Sequence, residues 1–490
     1  MGIVAGFMVP HPPMIVPEVG CGSEKSIKET SQSYEYVADM IADIKPDTIV
    51  VSSPHSVMCG DYFHISPGSS AKGSFARFDA PEVTFDVKYD AEFVDSLCEI
   101  AERNGIPAGT LGEKSAALDH GTMVPLYFIM KKYTDFKLVR IGLSGEPMQE
   151  HYRLGMAIKE TAENLGRRVC YVASGDLSHK LEEYGPYGFV PEGPLYDERI
   201  MDVMGRAAFD ELFEFEESFL DKAAECGHRS FVMMAGALDC TAVETKRLSH
   251  QDITGVGYGV CTYQNKGVDE ERDMLEKWHI RYRNKILNMR KKEDAYVKLA
   301  RLSLENYIIT HEKIAWKNVK RRILSTGTGT TEMLTAEQLQ ERDSNSDVHE
   351  ELTKRRAGAF VSIHKNGALR GCIGTIAPTK DCLAEEIIEN AISASTRDPR
   401  FSPVRKEELF ELEINVDVLG EIEPIASEDE LDVIRYGVIV RKGNKQGLLL
   451  PNLDGVDTIE EQLSIAKRKA GLEPDEEGCD LYRFEVVRHT

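Results

Sequence analysis

The stretch Arg168–His179, "RVCYVASGDLSH", runs from a β-branched apolar segment straight into a glycine and polar turn formers. "RVCYVAS" has the length and composition of a buried strand, and Gly175, Asp176 and Ser178 end it. Three similar runs precede it: "IVAGFMV" (3–9), "DTIVVSS" (47–53) and "FKLVRIGL" (136–143). Apolar runs without polar alternation suit strands covered on both faces. Between them, 23–44, 91–104 and 148–165 carry helical patterning, the last with Tyr152, Met156, Ile158 and Ala162 near one stripe. This alternation predicts an α/β domain over residues 1–263, a mostly parallel or mixed sheet flanked by helices.

Three of these strands are followed by a histidine: His11 in "VPHPP", His55 in "SSPHS" and His179 in "SGDLSH". Ligands of open α/β sheets bind beyond the carboxyl ends of the strands, so three imidazoles at that edge point to one site. Taken alone, His179 reads equally as a ligand, a proton carrier or a turn residue. Pro10, Pro12, Pro13 and Pro54 hold the first two loops extended, which suits ligands that must be placed closely. His120, in "ALDHGTMVPLYFI", precedes an apolar helix and is either a loop residue or a member of the site.

Two histidines and a carboxylate leave metal positions open for dioxygen chemistry. Glu225, in "KAAECGHRSFVMMAGAL", is the expected carboxylate, with Cys226 as a soft rival and His228 as a further one. Asp176 either orients His179 or caps a turn. "EEYGPYGFVPEGPLY" (182–196) is either a lid over the site or a packed loop.

At 490 residues the chain exceeds one ordinary core. Acidic residues outnumber basic ones 82 to 59, a net charge of −23 that opposes binding to nucleic acid or anionic membranes. The start, "MGIVAGFMVPHPP", has no basic segment and is broken by prolines, so neither a secretory leader nor a membrane anchor is expected. Ten scattered cysteines without C-x-x-C fit a reducing cytoplasm.

Residues 264–292 are charge-dense, with a basic second half, and read as a linker or connecting helix. A second, smaller α+β domain is expected over 293–490. It opens with a helix (293–309) carrying Val297, Ala300, Leu304 and Ile308 on one stripe. Residues 325–350 read as a mobile loop, and Asn366-Gly367 as a hairpin turn inside "AGAFVSIHKNGALRGCIGTI". A helix (382–396) and strands at 410–419, 437–443 and 446–451 follow.

"VPHPP", "SSPH", "DHGTMVPL", "SGDLSH" and "ECGHRS", in this order, resemble the LigB-like class III extradiol dioxygenases and the related Memo proteins. The resemblance implies Fe(II) held by His11, His55 and Glu225, with His120 and His179 exchanging protons with an ortho-diphenolic substrate that dioxygen cleaves. In Memo proteins a cysteine is a ligand at the position best matching Cys226, and a thiolate would favour copper or zinc. Residues 293–490 resemble the AMMECR-type domain through "LRGCIGT" (369–375), "STRDPRF" (395–401) and "GLLLP" (447–451). There Cys372 beside Arg370 reads as a nucleophile, a ligand or a small strand residue, and Arg397 and Arg400 as an anion site or a turn. The fusion resembles parts of the AmmeMemoRadiSam system, which implies a second function: a metal-binding partner module of a radical SAM enzyme, without ring cleavage. Self-association stays open.

Overall fold

The computed structural model describes residues 2–112, 117–324, 346–453 and 455–490. It divides into two compact units, Met1–His279 and Ile280–Thr490.

The first unit is built on a six-stranded mixed sheet. Its order is Lys137–Gly142, Thr48–Ser53, Arg168–Ser174, Gly2–Val9, Tyr258–Val268, Thr241–Gln251. The first four strands are parallel, and the last two close the edge antiparallel. Each parallel strand is buried on both faces. Val50, Val139, Val169 and Tyr171 face one apolar layer, while Ile49, Val51, Cys170 and Val172 face the other. That double burial is why these strands are continuous apolar runs. Among the helices are Lys28–Ile44, Ala91–Arg103 and Met148–Asn164. On the last, Tyr152, Ile158 and Ala162 are buried, but Met156 is 38% exposed and lies off the stripe.

The register brings three loops together. Val9 lies opposite Ser174, and Ser52 opposite Ala173, so the chain segments after Val9, Ser53 and Ser174 leave the sheet side by side. The 168–174 strand sits between 2–9 and 48–53, although it follows both in sequence.

The expected linker starts later than its composition suggests, because the 258–268 strand continues to Val268 and pairs with Thr241. A helix, Met274–Lys292, follows.

The second unit has a seven-stranded antiparallel sheet. Its path is Ala368–Gly374, Ala359–Lys365, Leu412–Leu419, Asp480–His489, Tyr436–Lys442, Lys445–Leu449, with Glu423–Ile425 also paired to 480–489. Asn366 (φ 54°) and Gly367 (φ 79°) make the tight hairpin turn that the Asn-Gly pair predicts. Asp294 caps the Ala295–Thr310 helix, whose Val297, Ala300, Leu304 and Ile308 enter the core. Of the expected 325–350 loop, residues 325–345 lie outside the described residues; the rest is not loop, since Ser346–Lys354 is a helix.

Candidate metal centre

His11, His55 and Cys226 bring one ligand atom each to a common point, all within 4.8 Å of one another. His11 Nε2 is 3.0 Å from His55 Nε2 and 3.6 Å from Cys226 Sγ. His120, the first residue of the His120–Met130 helix, closes the group, its ring centroid 4.0 Å from that of His55 and 5.4 Å from that of His11. Phe78 lies edge-on to His120 at 5.5 Å.

The tautomer of His11 follows from a proline. Pro125 lies inside the 120–130 helix, and without an N–H it cannot bond the carbonyl four residues back. That carbonyl, Gly121 O, instead accepts the Ser174 hydroxyl at 2.6 Å. With its proton spent there, Ser174 Oγ accepts from His11 Nδ1 at 2.9 Å. Nδ1 therefore carries the hydrogen, and Nε2 turns its lone pair to the centre. Ser174→Ala is expected to keep the fold and to weaken metal binding by about 10- to 100-fold, read by competition with a chelator of known affinity. Unchanged affinity would rule out this orienting chain.

Asp119 holds the other side. It caps the 120–130 helix by accepting from Thr122 N at 3.0 Å, and it accepts the Ser53 hydroxyl at 2.6 Å. Ser53 Oγ in turn accepts the His55 N–H at 3.2 Å, and Arg140 lies 3.6 Å from the carboxylate. Ser174, Ser53, Asp119 and Pro125 escaped the sequence reading. The last two had a local signal, an Asp N-cap before "HGT" and a proline inside an apolar helical run.

Burial, reinforced by the neighbouring His55 and His120, pushes the His11 pKa well below its ordinary value. Burial also lowers His55, and it brings His120 down to about 4. All three rest as neutral imidazoles at pH 7, the form that binds metals. The Cys226 thiol is held well above its usual range by burial, with the Asp176 carboxylate adding to the effect. A cation at the centre is what would make it a thiolate. Soft sulfur and neutral imidazole form a donor set that fits a first-row transition metal.

The structure does not bring Glu225 into this group. Its carboxylate accepts the backbone N–H of His228 at 2.6 Å, at the start of the His228–Ala237 helix, and burial raises it to about 7. His228 is buried against Leu212 O (2.9 Å) and the Tyr196 hydroxyl (3.4 Å). Asp176 does not orient His179. Its Oδ1 accepts the His11 backbone N–H at 2.7 Å, while His179 Nδ1 faces Ala224 O at 2.5 Å, because the Cys226 loop packs beside it. Tyr187, from the 182–196 segment, stands edge-on to His179 at 5.2 Å. The end of that segment is helix, Glu192–Arg206.

In the second unit, Arg370 is engaged by a carboxylate. Its guanidinium bonds both oxygens of Glu408 (3.0 and 3.1 Å) and Ser402 O (2.8 Å). A Cβ on Gly371 would lie 2.2 Å from Ala394 O, so the glycine admits the Leu383–Thr396 helix. Cys372 Sγ accepts from Ser362 Oγ at 3.3 Å, and its N–H bonds Asp398 (2.9 Å). Arg400 pairs with that same Asp398 and Arg397 with Glu389, so both tie down local structure.

The family model described as "Catalytic LigB subunit of aromatic ring-opening dioxygenase" matches residues 5–261. The chain belongs to the LigB family. Beyond its LigB domain, the AMMECR1 family model matches residues 297–489. A protein of Clostridium acetobutylicum is 39% identical over 496 residues, covering 100% of this chain and 99% of its own. The 2-aminophenol 1,6-dioxygenase beta subunit of a Pseudomonas species is 26% identical over 292 residues, covering 53% of this chain and 93% of its own. Among solved structures, an uncharacterized protein of Pyrococcus horikoshii is 31% identical, covering 39% of this chain and 88% of its own, with a TM-score of 0.31. The LigB domain thus falls in the extradiol-dioxygenase-like superfamily. Among the described residues, no helix is long and apolar enough to cross a membrane.

Proposed function

We propose that the LigB domain is an Fe(II)-dependent extradiol-type dioxygenase acting on a small ortho-diphenolic or aminophenolic ring. The observation that supports this most is the convergence of His11, His55 and Cys226 with His120 alongside. Bound there, the iron would supply a Lewis acid for the substrate oxygens and open positions for dioxygen. His11 and His55 offer lone pairs, because desolvation keeps them uncharged. His120 is a neutral proton acceptor at rest, placed to take a phenolic proton and return it. Phe78 beside it gives an aromatic substrate an apolar wall.

Cys226 supports a second reading. Sulfur in place of a carboxylate favours copper or zinc over iron. That fits a metal-binding module serving a radical SAM partner without ring cleavage. Anaerobic loading with Fe(II), then oxygen-uptake and absorbance scans over catechols and 2-aminophenol, separates the two. One dioxygen consumed per ring opened is expected. Bound metal with no oxygen uptake across the panel would reject the dioxygenase and leave the partner module.

A further inference from the structure

We propose that the second unit carries a nucleophile site of its own, in which the Cys372 sulfur attacks a small electrophile whose carboxylate or phosphate group is held by Arg400 and Lys469. Three stretches far apart in sequence meet there. Cys372 lies on the Ala368–Gly374 strand, where its Sγ accepts the Ser362 hydroxyl at 3.3 Å. Buried Asp398 grips the Arg400 guanidinium through both oxygens (2.9 and 2.7 Å) and also accepts the Cys372 backbone N–H at 2.9 Å. So fixed, the guanidinium reaches the Cys372 carbonyl at 3.3 Å and the thiol beside it. Lys469 is the last residue of the Ile459–Lys469 helix. Gly447 lets that helix close on the Lys445–Leu449 strand, because a Cβ there would lie 2.1 Å from Ala466 O.

Two cations thus face one half-buried sulfur. Burial holds the Lys469 amine below its ordinary range, with Cys372 opposing that shift and Arg400 adding to it. Among the described residues Lys469 has no carboxylate partner, so its charge is left for an incoming anion. The Ser362 hydroxyl, aimed at Sγ, supports negative charge on the sulfur as it attacks. Phe360, on the same face of the sheet as Ser362, packs over Gly374 and joins Leu448 and Leu450 in an apolar cluster. Those side chains give the carbon part of the substrate a wall. In the covalent step the thiol proton passes to water and the sulfur pair forms an S–C bond. The bond from that carbon to its leaving group breaks, and the leaving group departs with the electrons.

The test treats the full chain with iodoacetate, an anion, or with neutral iodoacetamide, and follows each cysteine by peptide mass spectrometry. Both reagents lose iodide to the sulfur, so their rates differ only by the carboxylate. The chain carries a net charge of −23 and repels anions in general, and exposed Cys21 reports that background. The iodoacetate-to-iodoacetamide rate ratio is expected to be about 10-fold higher at Cys372 than at Cys21. Lys469→Gln is expected to remove that preference while leaving the iodoacetamide rate unchanged, and Lys469→Arg to restore it. Inorganic phosphate and benzoate are added as competitors. Protection of Cys372 by phosphate would mark a phosphate-bearing substrate and protection by benzoate a carboxylate-bearing one. Equal ratios at the two cysteines, a ratio unmoved by Lys469→Gln, protection by neither competitor, or a Cys372 that reacts only in urea would each overturn the site.

Discussion

A His55→Ala protein is expected to fold like the wild type, to give up one iron per chain and to consume no oxygen with any catechol. His55 is the substitution to make because its side chain is exposed at the mouth of the site, whereas His11 is 1% exposed and would leave a cavity. The His55 ring packs on the other site imidazoles, with centroids 4.7 Å from His11 and 4.0 Å from His120. Losing a residue that merely orients a ligand costs about 10- to 100-fold in affinity, and losing the ligand itself costs more. Metal analysis and urea unfolding of the same preparation check the result. Unchanged iron content would mean that the imidazole cluster is not the binding site.

Gly175→Ala is expected to lose about 3 kcal/mol of stability, and to lose metal with it. An added Cβ would lie 2.1 Å from the Gly227 Cα, which no rotamer change relieves. Gly175 precedes Asp176 and Gly227 follows Cys226, so the clash separates the two loops that carry those side chains. Gly60→Ala is the control, because its Cβ would meet nothing within 4 Å; a change within about 0.5 kcal/mol is expected. Urea midpoints and metal content measure both variants. A Gly175→Ala protein as stable and as metal-loaded as the control would refute the contact.

The strands of the first unit were legible because burial on both faces demands continuous apolar runs, and His11, His55 and His179 stood out because each follows such a run. Strand order was not legible. The 241–251 strand is half-exposed and largely polar, "TAVETKRLSHQ", so its sheet membership left little apolar trace. The choice between Glu225 and Cys226 turned on one residue of loop direction. Glu225 is drawn into bonding the first N–H of the helix that follows it, and nothing in the local sequence distinguishes such a carboxylate from one that binds metal. The Pro125–Ser174–His11 connection crosses three elements that only the fold brings together. In the second unit, Arg370 beside Cys372 suggested an activated thiol, yet the partner that claims its guanidinium, Glu408, lies in a distant segment.

The place of the 168–174 strand, between two strands made long before it, sets when the candidate centre can form. During synthesis His11 and His55 emerge early, but no sheet holds them in register until the later strand inserts between theirs. Closing such distant segments is a late, non-local step of folding. The Cys226 loop arrives later still. A growing chain therefore has separated imidazoles, and the converged cluster belongs to the finished domain. On the metal-dependent reading proposed above, loading of the centre is then a separate event after folding, open to control by whatever supplies the ion.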